Sequence, residues 1–379
     1  MGDIRIDQGA LDALRARARR DVDDGTLPAA QWALAVDGDV IAGETVGDVP
    51  AGDASRFVIY SATKAVVASA VWQLLAEGTL SLADRVGDHI PEFKTNGKDV
   101  VSVEQVLLHT SGFPRAPMSL TRAASREGRA EAFAKWRLNW EPGTRFEYHP
   151  TSAHWVLAEL LERIDGDDFR AVVRRRVLDP LGLTALRLGV PVEEQADVAR
   201  PTNVGEPPTA DEWEAALGVK GFDVGEVTDE ALVTLGSPEG LALGIPGGGA
   251  VSTAADLARF YQALLRNDAG LWDPAVLADA TGNVRNTYRD PQTGVPASRA
   301  LSIVVAGDDG KAGMRGMGHT CSPRAFGHNG AGGQIAWADP DTGVSFCWFT
   351  NGLDRHLIRQ WRRSAGIASK AGSVVPTAN

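Results

Sequence analysis

Between Ala65 and Glu77 nearly every residue is apolar, and Val66, Val67, Ala70, Val71, Leu74 and Leu75 leave no broad polar face. A helix that is apolar all round belongs in the interior of a fold. It follows a strand-like run, Phe57-Val58-Ile59, and then Tyr60-Ser61. The chain therefore leaves a strand and enters a deeply buried helix at Ser61, and the remaining elements must enclose that helix. The chain has 379 residues, of which 44% are hydrophobic and 23% charged. That permits one large mixed domain or two medium ones, each with its own core.

The flanking segments indicate how the enclosure is built. Leu11, Leu14, Ala18 and Val22 recur at helical spacing within the stretch 6–24. Ala30 to Val36, then Asp37-Gly38, then Val40 to Gly43 form a hairpin pattern, because Asp-Gly favours the tight turn between two strands. The middle of the chain is mainly helical, with segments expected at 103–109 (Ser102 as N-cap), 130–140, 153–164 and 169–178. The stretch 201–238 is rich in Pro, Gly and acids and predicts a long irregular loop. Gly247-Gly248-Gly249 precedes a helix at 254–266 and marks tight backbone packing; no Gly-Lys-Ser/Thr follows it to suggest a phosphate loop. Strand patterns return at 301–306, 333–338 and 344–350, the last two joined by Asp339-Pro340-Asp341-Thr342-Gly343. A final helix is expected at 354–365, followed by a loose tail.

Strands thus cluster at both ends of the chain and helices in the middle. The fold class this predicts is α+β: the terminal strands form one mostly antiparallel sheet flanked by helices, with a helical lobe inserted. The expected divisions are 1–82 and 247–379 for the two parts of the α/β domain, and 83–246 for the helical lobe.

A net charge of −11 argues against nucleic acid or a membrane surface as partner. Cys321 and Cys347 are too few for a disulfide framework. The seven histidines lack metal-ligand spacing, so neither a metal nor another cofactor is expected. The first residues, Met-Gly-Asp-Ile-Arg-Ile-Asp, lack a basic region followed by an apolar one, which predicts a cytoplasmic protein. The expected partner is a small ester or amide substrate, and homo-oligomerisation is left open. Core or interface packing is the default for Trp136, Trp140, Trp155 and Trp213.

The chemistry centres on Tyr60-Ser61-Ala62-Thr63-Lys64. Serine is a weak nucleophile and needs a base within hydrogen-bond reach. Residues three apart on a helix share a face, so Lys64 can sit beside the Ser61 hydroxyl. Lysine serves as a base only when neutral, and burial in an apolar helix disfavours its charge. The helix N-terminus also directs backbone N–H groups at developing negative charge. Two further segments follow in order: Glu141-Pro142-Gly143-Thr144-Arg145-Phe146-Glu147-Tyr148, then Phe326-Gly327-His328-Asn329-Gly330-Ala331-Gly332-Gly333.

With these three segments in this order, the chain resembles the serine β-lactamase and penicillin-binding-protein superfamily, in its class C β-lactamase-like branch that includes family VIII carboxylesterases. Supporting stretches are Leu107-Leu108-His109-Thr110-Ser111-Gly112, Pro142-Gly143-Thr144 and Pro180-Leu181-Gly182-Leu183. The resemblance implies a β-lactamase/transpeptidase-like fold with a five-stranded antiparallel sheet and an all-helical lobe, and a site between them. It implies that Ser61 forms an acyl-enzyme and that Lys64 takes its proton, or tunes Tyr148 to do so. Tyr148 would then pass a proton to the leaving group. The N–H groups of Ser61 and Ala331, the latter on the strand edge, would form the oxyanion hole. His328, Asn329, Gly330 and His149 would contact substrate, while His109 is expected to hold a loop through hydrogen bonds.

Two departures bear on the substrate. Where the family commonly has Tyr-x-Asn, this chain has Tyr148-His149-Pro150, and where Lys-Thr-Gly is common it has His328-Asn329-Gly330. An amide and a permanent cation are both missing from these motifs. The expected activity is therefore hydrolysis of short-chain carboxylic esters. Rivals with the same machinery are an amidase or D-amino-acid peptidase, a weak β-lactamase and an acyltransferase; a rival of another class is a catalytically silent binding protein. The stretches 201–238 and 292–320 are expected to decide among the substrates.

Overall fold

The computed structural model describes residues 5–376. In chain order the strands are β1 (Ala29–Val36), β2 (Asp39–Gly47), β3 (Arg56–Val58), β4 (Arg187–Leu188), β5 (Val198–Ala199), β6 (Thr202–Val204), β7 (Ala250–Ser252), β8 (Val304–Val305), β9 (Phe326–Gly327), β10 (Ile335–Asp339), β11 (Val344–Thr350) and β12 (Gly352–Asp354). Six of them form an antiparallel sheet in the order β2-β1-β11-β10-β9-β8. The expected count was five; the sixth is the two-residue edge strand β8, which pairs Val304 and Val305 with Gly327 and Phe326. The hairpin turn follows from its residues: Asp37 (φ 53°) and Gly38 (φ 92°) are both left-handed, and Val36 pairs directly with Asp39.

Alternation along the strands sorts the two faces of the sheet. Trp32, Leu34, Trp337, Phe346 and Trp348 project to one side and pack with Leu11, Leu14 and Ala18 of helix α1 (Gln8–Asp23) and with Ile367, Ala368 and Ala371 of the helix Leu357–Ala371. The opposite side presents small residues, Ala33, Ala35, Ala336, Ala338 and Cys347, to the helix Ala254–Arg266. Small side chains let that helix lie close to the sheet, and large ones fill the wider gap opposite. Helix α2 (Thr63–Glu77) lies beyond, with its residues from Thr63 to Leu74 all buried. It packs on the helices Ser152–Asp165, Phe169–Val173 and Pro274–Gly282. One apolar cluster runs from the sheet through α2 into the helices of residues 86–178.

Three expectations about local structure change. The stretch 201–238 contains β6, which pairs parallel with β12, and two short helices, Ala210–Leu217 and Asp229–Leu235, so it is not an irregular loop. The helix expected at 130–140 is Arg126–Lys135; the chain turns extended at Trp136, whose indole N–H donates to the Pro117 carbonyl. The final helix runs to Ala371, and the segment after it is anchored, with Val374 buried and its carbonyl accepting from the Asp7 N–H. Among the described residues no helix is long and apolar enough to cross a membrane.

The β1–β2 turn can be tested directly. A Cβ at Gly38 would meet no atom closer than 3.7 Å, so Gly38→Ala costs only the left-handed backbone strain. That strain is about 1–2 kcal/mol. Urea unfolding should show a lowered midpoint with an unchanged slope.

Candidate active site

Ser61 is held by the backbone around it. β3 lies between β7 and β5, and the Ile59 N–H donates to the Ala250 carbonyl. The next residue, Tyr60, has φ 45°, a strained conformation for a bulky side chain. Its ring is buried and its hydroxyl donates to the Leu232 carbonyl at 3.1 Å. The Thr63 hydroxyl accepts from the Ala250 N–H at 3.2 Å and fixes the start of α2. Half-buried Ser61 therefore sits on a sharp turn between a strand and a buried helix, a geometry suited to presenting a nucleophile.

Lys64 is fully buried. Its Nζ lies 3.2 Å from Ser61 Oγ, 2.7 Å from the Pro150 carbonyl and 2.5 Å from the Gly247 carbonyl. None of these partners is an acid. Burial first, and the nearby Arg299 second, hold its ionisation well below the usual lysine range. A neutral amine has two N–H bonds and one lone pair. The two carbonyls can take the N–H bonds and leave the lone pair for the Ser61 hydroxyl. The glycine run makes this close approach possible, because a Cβ at Gly247 would stand 2.8 Å from the Pro150 oxygen.

Tyr148 lies just before the helix Ser152–Asp165, and its hydroxyl donates to Ser61 Oγ at 2.9 Å. Burial pushes its ionisation up to about 12, with Arg299 and the Ser61 hydrogen bond opposing the rise. Its ring lies 5.0 Å from that of His109, which is buried and left-handed at φ 56°. His109 Nδ1 accepts from the His149 N–H at 3.1 Å, so it braces the Tyr148 loop.

His149 differs from its expected place in the substrate site. It is fully buried; Nδ1 lies 2.7 Å from the Glu147 carbonyl, and Nε2 accepts from the Phe113 N–H at 3.2 Å and meets Ser111 Oγ at 3.1 Å. Both ring nitrogens are engaged inside the protein, and burial pushes the ring down to about 3, keeping it neutral. It locks two loops together and presents no polar atom to a ligand.

The third motif divides similarly. Asn329 was expected to contact substrate, but its amide donates to the Gly316 carbonyl at 2.7 Å and accepts from the Ala336 N–H at 2.9 Å. Its side chain is a clamp between a loop and β10. Gly330 packs so closely behind Ser61 that a Cβ there would stand 2.3 Å from the Ile59 oxygen. Ala331 opens the short turn Ala331–Gly333 just beyond the strand edge where it was expected, packed against the cluster that contains Tyr60. His328 is buried, with its ring 6.0 Å from that of Tyr148. Burial, then Arg299 and Lys64, hold its ionisation well below the usual histidine range.

Arg299 is the site residue that sequence reasoning missed. Its guanidinium carbon lies 5.1 Å from the Tyr148 ring centre and 5.3 Å from that of Phe146. Its Nη1 is 3.4 Å from His328 Nε2, and its Nε is buried without a hydrogen-bond partner. The third motif lacks a permanent cation, but the site does not: Arg299 brings one from a segment tied to the end of helix Val103–Leu107 through Ser302 and Asn286. The available signal was a lone charge in the otherwise small and apolar run Val295-Pro296-Ala297-Ser298-Arg299-Ala300-Leu301. The tryptophans split. Trp136, Trp155 and Trp213 are buried, while half-buried Trp140 lies under the Arg145 guanidinium at 4.1 Å.

Residues 14–368 match the Beta-lactamase family model, and the chain belongs to that family. It is 26% identical over 330 residues to the esterase/beta-lactamase LipL of Mycobacterium tuberculosis, covering 83% of this chain and 73% of that protein. A penicillin-binding-protein homologue from Caulobacter crescentus superimposes with a TM-score of 0.79 at 28% identity, over 98% of this chain and 99% of that one. A family VIII carboxylesterase structure superimposes with a TM-score of 0.74 at 23% identity, over 97% and 99% of the two chains. Fold and family together make this protein a serine hydrolase of the β-lactamase fold.

The clamp assigned to Asn329 carries a testable consequence. Asn329→Ala leaves the Ala336 N–H and the Gly316 carbonyl without their partner and should lower stability by about 1–3 kcal/mol. Chemical denaturation measures this directly. A substrate contact would instead raise KM with stability unchanged.

Proposed function

We propose that this protein hydrolyses short-chain carboxylic esters through an acyl-enzyme on Ser61. The observation that carries the proposal is the convergence on one hydroxyl oxygen: Lys64 Nζ at 3.2 Å and Tyr148 Oη at 2.9 Å from Ser61 Oγ. Neutral Lys64 takes the Ser61 proton as Oγ bonds to the carbonyl carbon. Negative charge develops on the former carbonyl oxygen, facing the N–H groups of Ser61 and Ala331. One such donor is worth roughly 10²–10³ in rate. The C–O bond to the leaving group breaks as Tyr148 delivers a proton to the departing oxygen and is reprotonated from Lys64. Water then attacks the acyl-enzyme by the same route in reverse and frees the acid.

The preference for esters rests on which polar groups remain free. Pro150 carries no side-chain amide, and its carbonyl is taken by Lys64. The Asn329 amide is engaged on both sides. Neither of these motif positions therefore offers a side-chain amide to hold an amide substituent. LipL, whose name gives both esterase and beta-lactamase, is consistent with the ester reading. A second reading, an amide or β-lactam substrate bearing a carboxylate, is favoured by one observation, the unpaired cation of Arg299.

Wild-type protein should be labelled once by a fluorophosphonate, as seen by intact mass, and Ser61→Ala should not. Turnover of p-nitrophenyl butyrate should exceed that of nitrocefin; the reverse order would favour the second reading. An unlabelled wild type without turnover would overturn both. Lys64→Ala and Tyr148→Phe should each lower kcat by roughly 10²–10⁴ with unchanged circular dichroism. Because Lys64 must be neutral to accept a proton, kcat/KM should rise with pH through an ionisation well below that of an ordinary lysine.

A further inference from the structure

An arginine partly withdrawn from water normally has a carboxylate partner, because an unpaired charge is costly there, and Arg299 is half-buried with its Nε fully buried. Arg299 has none among the described residues: its guanidinium lies over the faces of Tyr148 and Phe146, touches His328 Nε2 and leaves Nε unpartnered. The tautomer of His328 accounts for that last contact. Its Nδ1 lies 2.9 Å from the Asn329 carbonyl, so Nδ1 carries the proton and Nε2 is free to accept from Arg299. Two aromatic faces and one neutral imidazole thus hold the cation in place without cancelling its charge. Cation–aromatic contacts of this kind hold a guanidinium while leaving its field available.

We propose that Arg299 is an electrostatic positioning residue for Ser61, acting through Lys64 and Tyr148: its guanidinium and the Lys64 amine each stand 5.1 Å from the centre of the same Tyr148 ring, so one fixed positive charge faces both partners of the Ser61 hydroxyl. This rests on the reading of Ser61 as the nucleophile. The other titratable groups facing the Lys64–Tyr148 pair are His109 from the loop after helix Val103–Leu107, His149 and His154 from the Tyr148 loop and the helix after it, and His328 from the third motif. Burial holds each of these imidazoles neutral. Asp290 opposes the Arg299 charge from beyond ion-pair distance, so it moderates the field but does not quench it. Among the described residues Arg299 is therefore the permanent charge that faces Lys64 and Tyr148 together. It performs through space what a permanent cation in the third motif would perform from the strand.

The test follows Lys64 directly and by kinetics. In protein labelled with 13C-lysine, the Lys64 Cε resonance is identified by its loss in Lys64→Ala. Its titration midpoint should rise by about one pH unit in Arg299→Met, because removing a like charge across the Tyr148 ring favours the protonated amine. Arg299→Lys should keep the midpoint near that of wild type. The acidic limb of kcat/KM for p-nitrophenyl butyrate should move with the midpoint. The Met variant should lose roughly tenfold on the acidic side of the limb and recover towards wild type at high pH. An unmoved Lys64 midpoint, or an equal loss of activity at every pH, would overturn the proposal. So would a shift in Arg299→Lys as large as that in Arg299→Met. If Arg299→Met does not fold, Arg299→Gln, which keeps a planar polar group without the charge, gives the same readings. The resonance titration needs no turnover, so absent esterase activity would count against the ester reading and leave the Arg299 measurement intact.

Discussion

Lys64 is buried without an acid beside it, and much of the surrounding structure follows from that. An isolated ammonium in such a place loses its hydration and gains little in return. Two backbone carbonyls, from Pro150 and Gly247, are what the fold supplies in place of a carboxylate. One comes from the helix-rich middle of the chain and one from the glycine run before β7, and the two backbones pack against each other. To bring both to one nitrogen, the glycine run must pack without side chains, and the Tyr148 loop must be braced from behind. His109, His149 and Ser111 do that bracing. His109 and His149 are thus part of the structure that holds the Lys64 amine in place.

The elements legible in the sequence are those whose cause is local. Asp37-Gly38 specifies its turn because two successive residues must adopt left-handed backbone. Helix α2 is legible because it has no polar face, and the start of the helix Val103–Leu107 because Ser102 and Gln105 form a capping box. A second capping box, Thr209 with Glu212, was equally available and was obscured by the prolines and glycines around it. The end of the helix Arg126–Lys135 was not legible, because tertiary contacts set it: the Trp136 carbonyl accepts from Lys98 and Asn96, across the lobe. The edge strand β8 is two residues long and exists only because β9 lies beside it.

The site divides along the same line. Ser61 and Lys64 are three residues apart on one turn, and their contact is nearly dictated by helical geometry. Tyr148 comes from far along the chain, and only the order of the motifs pointed to it. The orientations of Asn329 and His149 depend on what lies behind them, and both are held by hydrogen bonds within the fold that no motif encodes. Arg299 lies furthest from local inference. Nothing within its own segment relates it to Tyr148, and the tie between its loop and the end of the helix Val103–Leu107 is made by backbone carbonyls.

The apolar cluster beneath the site has a consequence for how substrate is admitted. It runs without interruption from the sheet through α2 into the helices on the other side. Two walls rooted in one close-packed interior cannot swing like a jaw, because opening would break the packing that holds each of them up. The ground around Ser61 is better compared to a mould whose shape is cast when the chain folds. Differences in what such a site accepts then fall on the surface loops around Ser61, while the packed foundation beneath them stays fixed.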